Sequence, residues 1–361
     1  MFDFRTGARR PVNDDARAER LADAQALVQR TLARHGLAAP SQLPGTHGLM
    51  DVLQRGLAPQ GGATPPRSDP RRVEVPDGAR FLSATHRGKS GSRAFRTYVP
   101  ASAASDPAAV VMMLHGCTQT PEDFAIGTGM NALAERHGFV VLYPEQSRGS
   151  NAQTCWNWFS PNDQHRDRGE PEILAGMARA AMEQYGIPPD RTFVAGLSAG
   201  AAMAVILGAT YPDVFAAAGA HSGLPYGSAK DVASAFAAMA GRGPGQQGTP
   251  SEKGVRTIVF HGAADATVHL SNGDIIARDA ERSAPSPSLQ TTRKGTENGR
   301  TYTVTSSIGP DGRTDMEHWV IDGLGHAWSG GRPGGTYTDP RGPDASAEMI
   351  RFFFDSKDTL K

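Results

Sequence analysis

The run Thr192-Phe193-Val194-Ala195-Gly196-Leu197-Ser198-Ala199-Gly200-Ala201-Ala202-Met203-Ala204-Val205-Ile206-Leu207 joins a short apolar stretch, a Gly-x-Ser-x-Gly turn and a helix-forming stretch. β-Branched and aromatic residues before the first glycine favour a strand, and the Ala/Met/Leu stretch after the second favours a helix. A strand that turns directly into a helix has room only for glycine two residues either side of the serine. The tight turn lifts the hydroxyl clear of the sheet edge, over a helix N-terminus that favours developing negative charge. The stretch predicts a nucleophile elbow at Ser198. A small-residue turn packed for closeness would carry the same pentapeptide, so the rest of the chain must supply the partners.

Outward from this turn, apolar runs of buried-strand type recur at Ala109–Leu114, Phe139–Tyr143, Thr192–Ala195, Phe215–Ala220 and Arg256–His261. Helical stretches separate several of them, at Met130–His137, Pro171–Tyr185 and Ala199–Thr210, and Ser346–Phe354 reads as a closing helix. Strands alternating with helices predict an α/β fold, a mostly parallel doubly wound sheet with helices on both faces. Before the first of these runs, Arg80–Ala84 and Arg93–Val99 alternate as a hairpin turning at Lys89-Ser90-Gly91. Residues 227–254 hold a weak Ala-rich helix and a Gly/Pro/Gln loop, and 283–312 read as polar and irregular. Both are expected to be insertions between core elements, in position to cover a site.

Two domains of unequal kind are expected. Residues 1–72 read as an N-terminal extension, with one helix from about Asp14 to His35 and a Pro/Gly-rich linker from Gly56 to Arg72. Residues 73–361 read as the α/β domain. The 361 residues carry 37 Lys plus Arg against 37 Asp plus Glu, so no net field draws nucleic acid or an anionic membrane surface. No window approaches the roughly 18 apolar residues of a membrane span. The first thirty residues lack the apolar core of a secretory signal, which favours a cytoplasmic location on sequence grounds. Oligomeric state leaves no signature here.

A serine hydroxyl needs a base, and the base needs an orienting acid. In the order Ser…Asp…His, both partners belong on loops beyond later strands. Ile258-Val259-Phe260 runs into His261-Gly262-Ala263-Ala264-Asp265, and His318-Trp319-Val320-Ile321 runs into Asp322-Gly323-Leu324-Gly325-His326. Asp265 and His326 are therefore preferred over the rival acids Asp322 and Asp274 and the rival imidazoles His261, His269, His318 and His221. The oxyanion needs two backbone N–H donors, one from the residue after the serine and one from an earlier strand-end loop. Ala199 supplies the first, and Cys117 in His115-Gly116-Cys117-Thr118-Gln119 supplies the second. The assembly is that of a serine acyl hydrolase working through an acyl-enzyme, with no metal or organic cofactor.

The whole pattern resembles the polyhydroxybutyrate (PHB) depolymerase-type esterases of the α/β-hydrolase superfamily, which include feruloyl and acetylxylan esterase relatives. The resemblance rests on His115–Gln119, Cys155-Trp156-Asn157-Trp158-Phe159, Gly196–Gly200, His261–Val268 and Gly325-His326-Ala327-Trp328-Ser329-Gly330-Gly331, and it covers roughly residues 80–355. It implies an α/β-hydrolase fold, a Ser198–Asp265–His326 triad and oxyanion donors at Cys117 and Ala199. It also implies a bridge between Cys117 and Cys155, the only two cysteines; a reducing compartment would instead leave two buried thiols. As the resemblance suggests, Trp156, Trp158 and Trp328 could line an acyl or polymer groove, although core packing suits each equally. The expected substrate is a small ester or oligoester, short-chain hydroxyacyl esters first. A feruloyl or acetylxylan-type carbohydrate esterase is the alternative, and a lactonase is further off because that class typically uses a Cys nucleophile. An inactive hydrolase-fold binding protein is the reading of another class, disfavoured because triad and elbow glycines are all present. Family members also act outside the cell, so the resemblance allows an extracellular location.

Overall fold

The computed structural model describes residues 73–243, 254–284 and 288–355. The helix and linker expected within 1–72, and the loop expected around 244–253, lie outside the described residues.

Ten strands form one sheet. In spatial order they are β1 (Arg80–Gly88), β2 (Gly91–Val99), β4 (Val140–Pro144), β3 (Val110–Leu114), β5 (Thr192–Leu197), β6 (Ala217–His221), β7 (Arg256–Gly262), β10 (Thr314–Ile321), β9 (Arg300–Ile308) and β8 (Leu289–Glu297). From β4 through β10 the neighbours run parallel, and an antiparallel hairpin flanks each side. This is an α/β-hydrolase fold.

The central strands β3 to β7 are buried at every position, and mostly apolar, because helices cover both faces. On β3, Val111 and Met113 point into one core layer, whereas Val110, Met112 and Leu114 point into the other. The first layer is closed by α1 (Pro121–Thr128), α2 (Met130–His137) and α7 (Ala345–Phe354), through Phe124, Met130, Met349 and Phe353. The second is closed by α3 (Gly169–Tyr185) and α4 (Ala199–Thr210), through Leu174, Met177, Met203 and Leu207. Each such side chain contributes about 1.5–3 kcal/mol on burial. Between α1 and α2 the chain turns at Gly129, whose φ of 64° lies where a Cβ is strained. Among the described residues the remaining α-helices are α5 (Val232–Met239) and α6 (Ser271–Arg282), the latter packed on β7 and β10.

Two expectations change in detail. The first hairpin is longer than its alternation implied: β1 continues to Gly88, which pairs with Gly91 across Lys89-Ser90. The Glu172 carboxylate accepts from both turn amides, at 3.2 and 2.9 Å. The stretch 283–312 is not irregular: it contains β8 and β9, which extend the sheet. Their polar outer residues hid the strands, because β8 is exposed along most of its length.

Candidate active site

Parallel strands align their carboxyl ends, and the loops at that edge carry the candidate residues. Ser198 follows β5, Asp265 follows β7 and His326 follows β10. Ser198 has φ 56° and ψ −118°, a conformation that costs an L-residue on the order of 1–3 kcal/mol. Both elbow glycines are sterically required. A Cβ on Gly200 would collide with the Leu114 carbonyl on β3, and one on Gly196 with the Gly200 backbone. The Ser198 amide donates to the His221 carbonyl at 2.9 Å, which fastens the elbow to β6.

The carboxyl that meets His326 is Asp265: its Oδ2 accepts from His326 Nδ1 at 2.8 Å. Its Oδ1 accepts from the amides of Thr267 and Val268, both at 2.9 Å. Burial alone would raise this carboxyl, but the bond to His326, that ring's charge and the Val268 amide pull it down to about 2. The rival acids are occupied elsewhere. Asp322 accepts from Thr301 Oγ1 at 2.5 Å, and Asp274 lies 3.8 Å from His318 Nδ1. Of the rival imidazoles, His261 bonds the Val268 carbonyl at 2.8 Å and His269 bonds Ser271 Oγ at 2.8 Å.

His221 has a place that its sequence position did not announce. Its carbonyl holds the elbow, its Nε2 accepts from Ser329 N–H at 3.0 Å, and its ring stacks on Phe260 and Trp328. It thus ties the serine turn to the loop that bears His326. Tyr337 was also missed, and no local pattern marks it. Its carbonyl accepts from Trp328 N–H at 2.7 Å, and its hydroxyl lies 3.4 Å from Thr118 Oγ1. Both Tyr337 and Thr118 adopt positive φ, at 51° and 65°. That pair joins the histidine loop to the loop after β3.

Cys117 and Cys155 form a disulfide. It pins the loop after β3 to the Trp-bearing loop, and a further bond runs from Thr118 N–H to the Gln153 carbonyl at 2.8 Å. Cys117 follows β3 and Ala199 opens α4, so both amides belong to the edge that carries Ser198. Reduction should lower stability by about 4 kcal/mol, the loop-closure entropy for a 38-residue separation. Denaturant midpoints with and without reductant would measure it, and equal midpoints would count against a constraining role.

The three tryptophans follow the core-packing alternative. Trp156 and Trp328 are fully buried and so present no face to a groove. Trp156 Nε1 donates to the His115 carbonyl at 3.1 Å, and Trp328 Nε1 to Ser346 Oγ at 3.0 Å. Trp158 is buried too, its ring set edge-on against Phe159. Large indoles beside the chemistry in sequence fill the core beneath it instead.

Burial holds several imidazoles neutral. It drives His115 to about 4, His221 to about 3 and His318 to about 4, against an ordinary 6.5. The unfolded chain therefore binds more protons below about pH 6.5, and stability falls as pH falls toward the folded values. From pH 7.5 to 5.5 the loss should be slightly more than about 1 kcal/mol per histidine, about 4 in all. Urea unfolding at the two pH values tests this, and a flat profile would contradict it.

The family profile of the esterase PHB depolymerases matches residues 93–285, just over half of the chain. The chain belongs to that family. Poly(3-hydroxyalkanoate) depolymerase C of Paucimonas lemoignei is 38% identical over 179 residues, which cover 46% of this chain and 42% of that protein. Acetylxylan esterase A of Emericella nidulans is 33% identical over 196 residues, 49% of this chain and 63% of that protein. The match thus spans about half the length of these curated relatives. An acetyl xylan esterase from Aspergillus awamori shares the fold, with TM-score 0.56 over 76% of this chain and 98% of that one at 20% identity. Among the described residues of this family member, no helix is long and apolar enough to cross a membrane and no cluster of three metal-ligating side chains occurs.

Proposed function

We propose that the protein is a serine carboxylic-ester hydrolase in which Ser198, His326 and Asp265 form the triad. The observation that carries this is the strained Ser198 elbow at the same sheet edge as the His326–Asp265 pair. With its Nδ1–H donated to Asp265, His326 keeps the Nε2 lone pair free to act as a base. It takes the Ser198 proton as Oγ attacks the ester carbonyl carbon. The amides of Cys117 and Ala199 receive the oxyanion. His326 then protonates the leaving alcohol, and water repeats the cycle to release the acid and restore Ser198.

Family membership and the resemblance to a poly(3-hydroxyalkanoate) depolymerase support short-chain hydroxyacyl esters or oligoesters as substrates. The similarity to acetylxylan esterase A favours a second reading, deacetylation of carbohydrate esters by the same triad. Chromogenic esters of rising acyl length, assayed beside 3-hydroxybutyrate oligomers, acetylated xylan and feruloyl esters, separate the two. Labelling of Ser198 by a fluorophosphonate tests the nucleophile directly. Absence of labelling together with absence of hydrolysis across the panel would sink the esterase reading and leave the inactive binding protein.

A further inference from the structure

The peptide that carries the Cys117 amide is gripped from behind by a chain of buried polar groups. His115 is wholly buried at the end of β3. Its Nδ1 lies 2.8 Å from the Gly116 carbonyl oxygen, and its Nε2 lies 3.1 Å from the Gln146 amide nitrogen. A carbonyl only accepts and a backbone amide only donates, so the ring is neutral with its proton on Nδ1. The Gln146 side chain donates to the Cys155 carbonyl at 3.0 Å and to the Glu170 carboxylate. Glu170, itself buried, also accepts from Asn157 N–H at 2.8 Å and Arg93 Nη2 at 3.0 Å.

Gly116 C=O and Cys117 N–H belong to one trans peptide group and so point in opposite directions. A donor that holds the carbonyl inward turns the N–H outward. Hydrogen bonding to that carbonyl also polarises the group and strengthens the N–H as a donor. We propose that His115, held in register by Gln146 and Glu170, is a positioning residue that aims and polarises the Cys117 amide toward the oxyanion. This rests on the serine-esterase reading above. The Gln119 amide donates to the same carbonyl at 3.3 Å, so His115 is one of two restraints. Its loss should cost part of the 10²–10³ that a whole oxyanion donor is worth, about tenfold in kcat.

Two measurements test this. Nitrogen-15 histidine NMR of the unaltered protein should find His115 in the Nδ1–H tautomer, and an Nε2–H tautomer would overturn the proposal whatever the variants do. In His115→Gln the carboxamide can reach the Nε2 position only, whereas in His115→Asn it can replace the Nδ1 donor. The Gln variant should lose about tenfold in kcat at unchanged KM, and the same factor in affinity for an arylboronate that forms a tetrahedral adduct on Ser198. The Asn variant should recover most of both. A folded His115→Gln with unaltered kcat and boronate affinity, or an Asn variant no better than the Gln one, overturns the inference alone. If the unaltered protein shows no Ser198-dependent hydrolysis, the esterase reading falls and takes this inference with it.

Discussion

Ser198→Ala should lower kcat for ester hydrolysis by about 10⁴–10⁶ while leaving the fold in place. The hydroxyl is the proposed bond-forming atom, and no other side chain at the elbow can replace it, since Leu197 and Ala199 flank it. The substitution keeps a Cβ at φ 56°, so it adds no backbone strain beyond what serine already bears. Folding should therefore be unaffected, and a circular dichroism melt beside the kinetics would establish that. KM should change little, because acyl and alcohol contacts and both oxyanion amides remain. A loss below tenfold would remove Ser198 from its role.

Asp265→Asn is expected to cost about 10⁴ in kcat. The size of the effect follows from tautomers. The Asp265 Oδ2 accepts Nδ1–H from His326, leaving Nε2 unprotonated for its proposed role as the base. An asparagine that offers its NH₂ there would instead favour Nδ1 as acceptor and place the proton on Nε2, where no base is left. The other oxygen keeps its two amide donors in either residue, so the loop should hold its shape. Stability has its own signature. The folded carboxyl sits at about 2, below its ordinary 3.8. Its stabilising contribution is therefore present above 3.8 and is lost as pH falls through the folded value. The variant should differ from the unaltered protein in stability near neutrality and converge with it below about pH 2. An Asn variant with unaltered kcat would show that another acid orients His326.

Much of this architecture was legible in the sequence because burial on two faces leaves a plain trace. The uninterrupted runs around Val110–Leu114 and Arg256–Gly262 are strands covered by helices, and Met130–His137 and Ala199–Thr210 follow from composition, the first ending at Gly138 in the left-handed region. Asp265 stood out from Asp322 and Asp274 because it lies just past the Ile258–Phe260 strand, on a different strand-end loop from His326, and the structure pairs the two. The hairpin at 289–308 was missed because an edge strand such as Leu289–Glu297 has little to bury and so little pattern to show. The alternation of Arg300, Tyr302 and Val304 with exposed or half-buried threonines was the available signal. For Trp156 and Trp328 groove and core were both open, because adjacency along a chain does not say which way an indole turns. His221, Tyr337 and the Gln146–Glu170 pair act through contacts between distant segments, and a single sequence carries no mark of those.

The spread of the site around one sheet edge has a kinetic consequence. The parts arrive on β3, β5, β7 and β10, and β10, which pairs locally with β9, joins the parallel strands only by docking on β7. No short contiguous fragment contains both the elbow and its base. A refolding chain can thus regain helices and much of its sheet while staying silent toward ester, and turnover returns only when β10 docks beside β7 and delivers His326. Recovered activity is then a late clock for folding, set by the slowest long-range closure rather than by the chemistry itself.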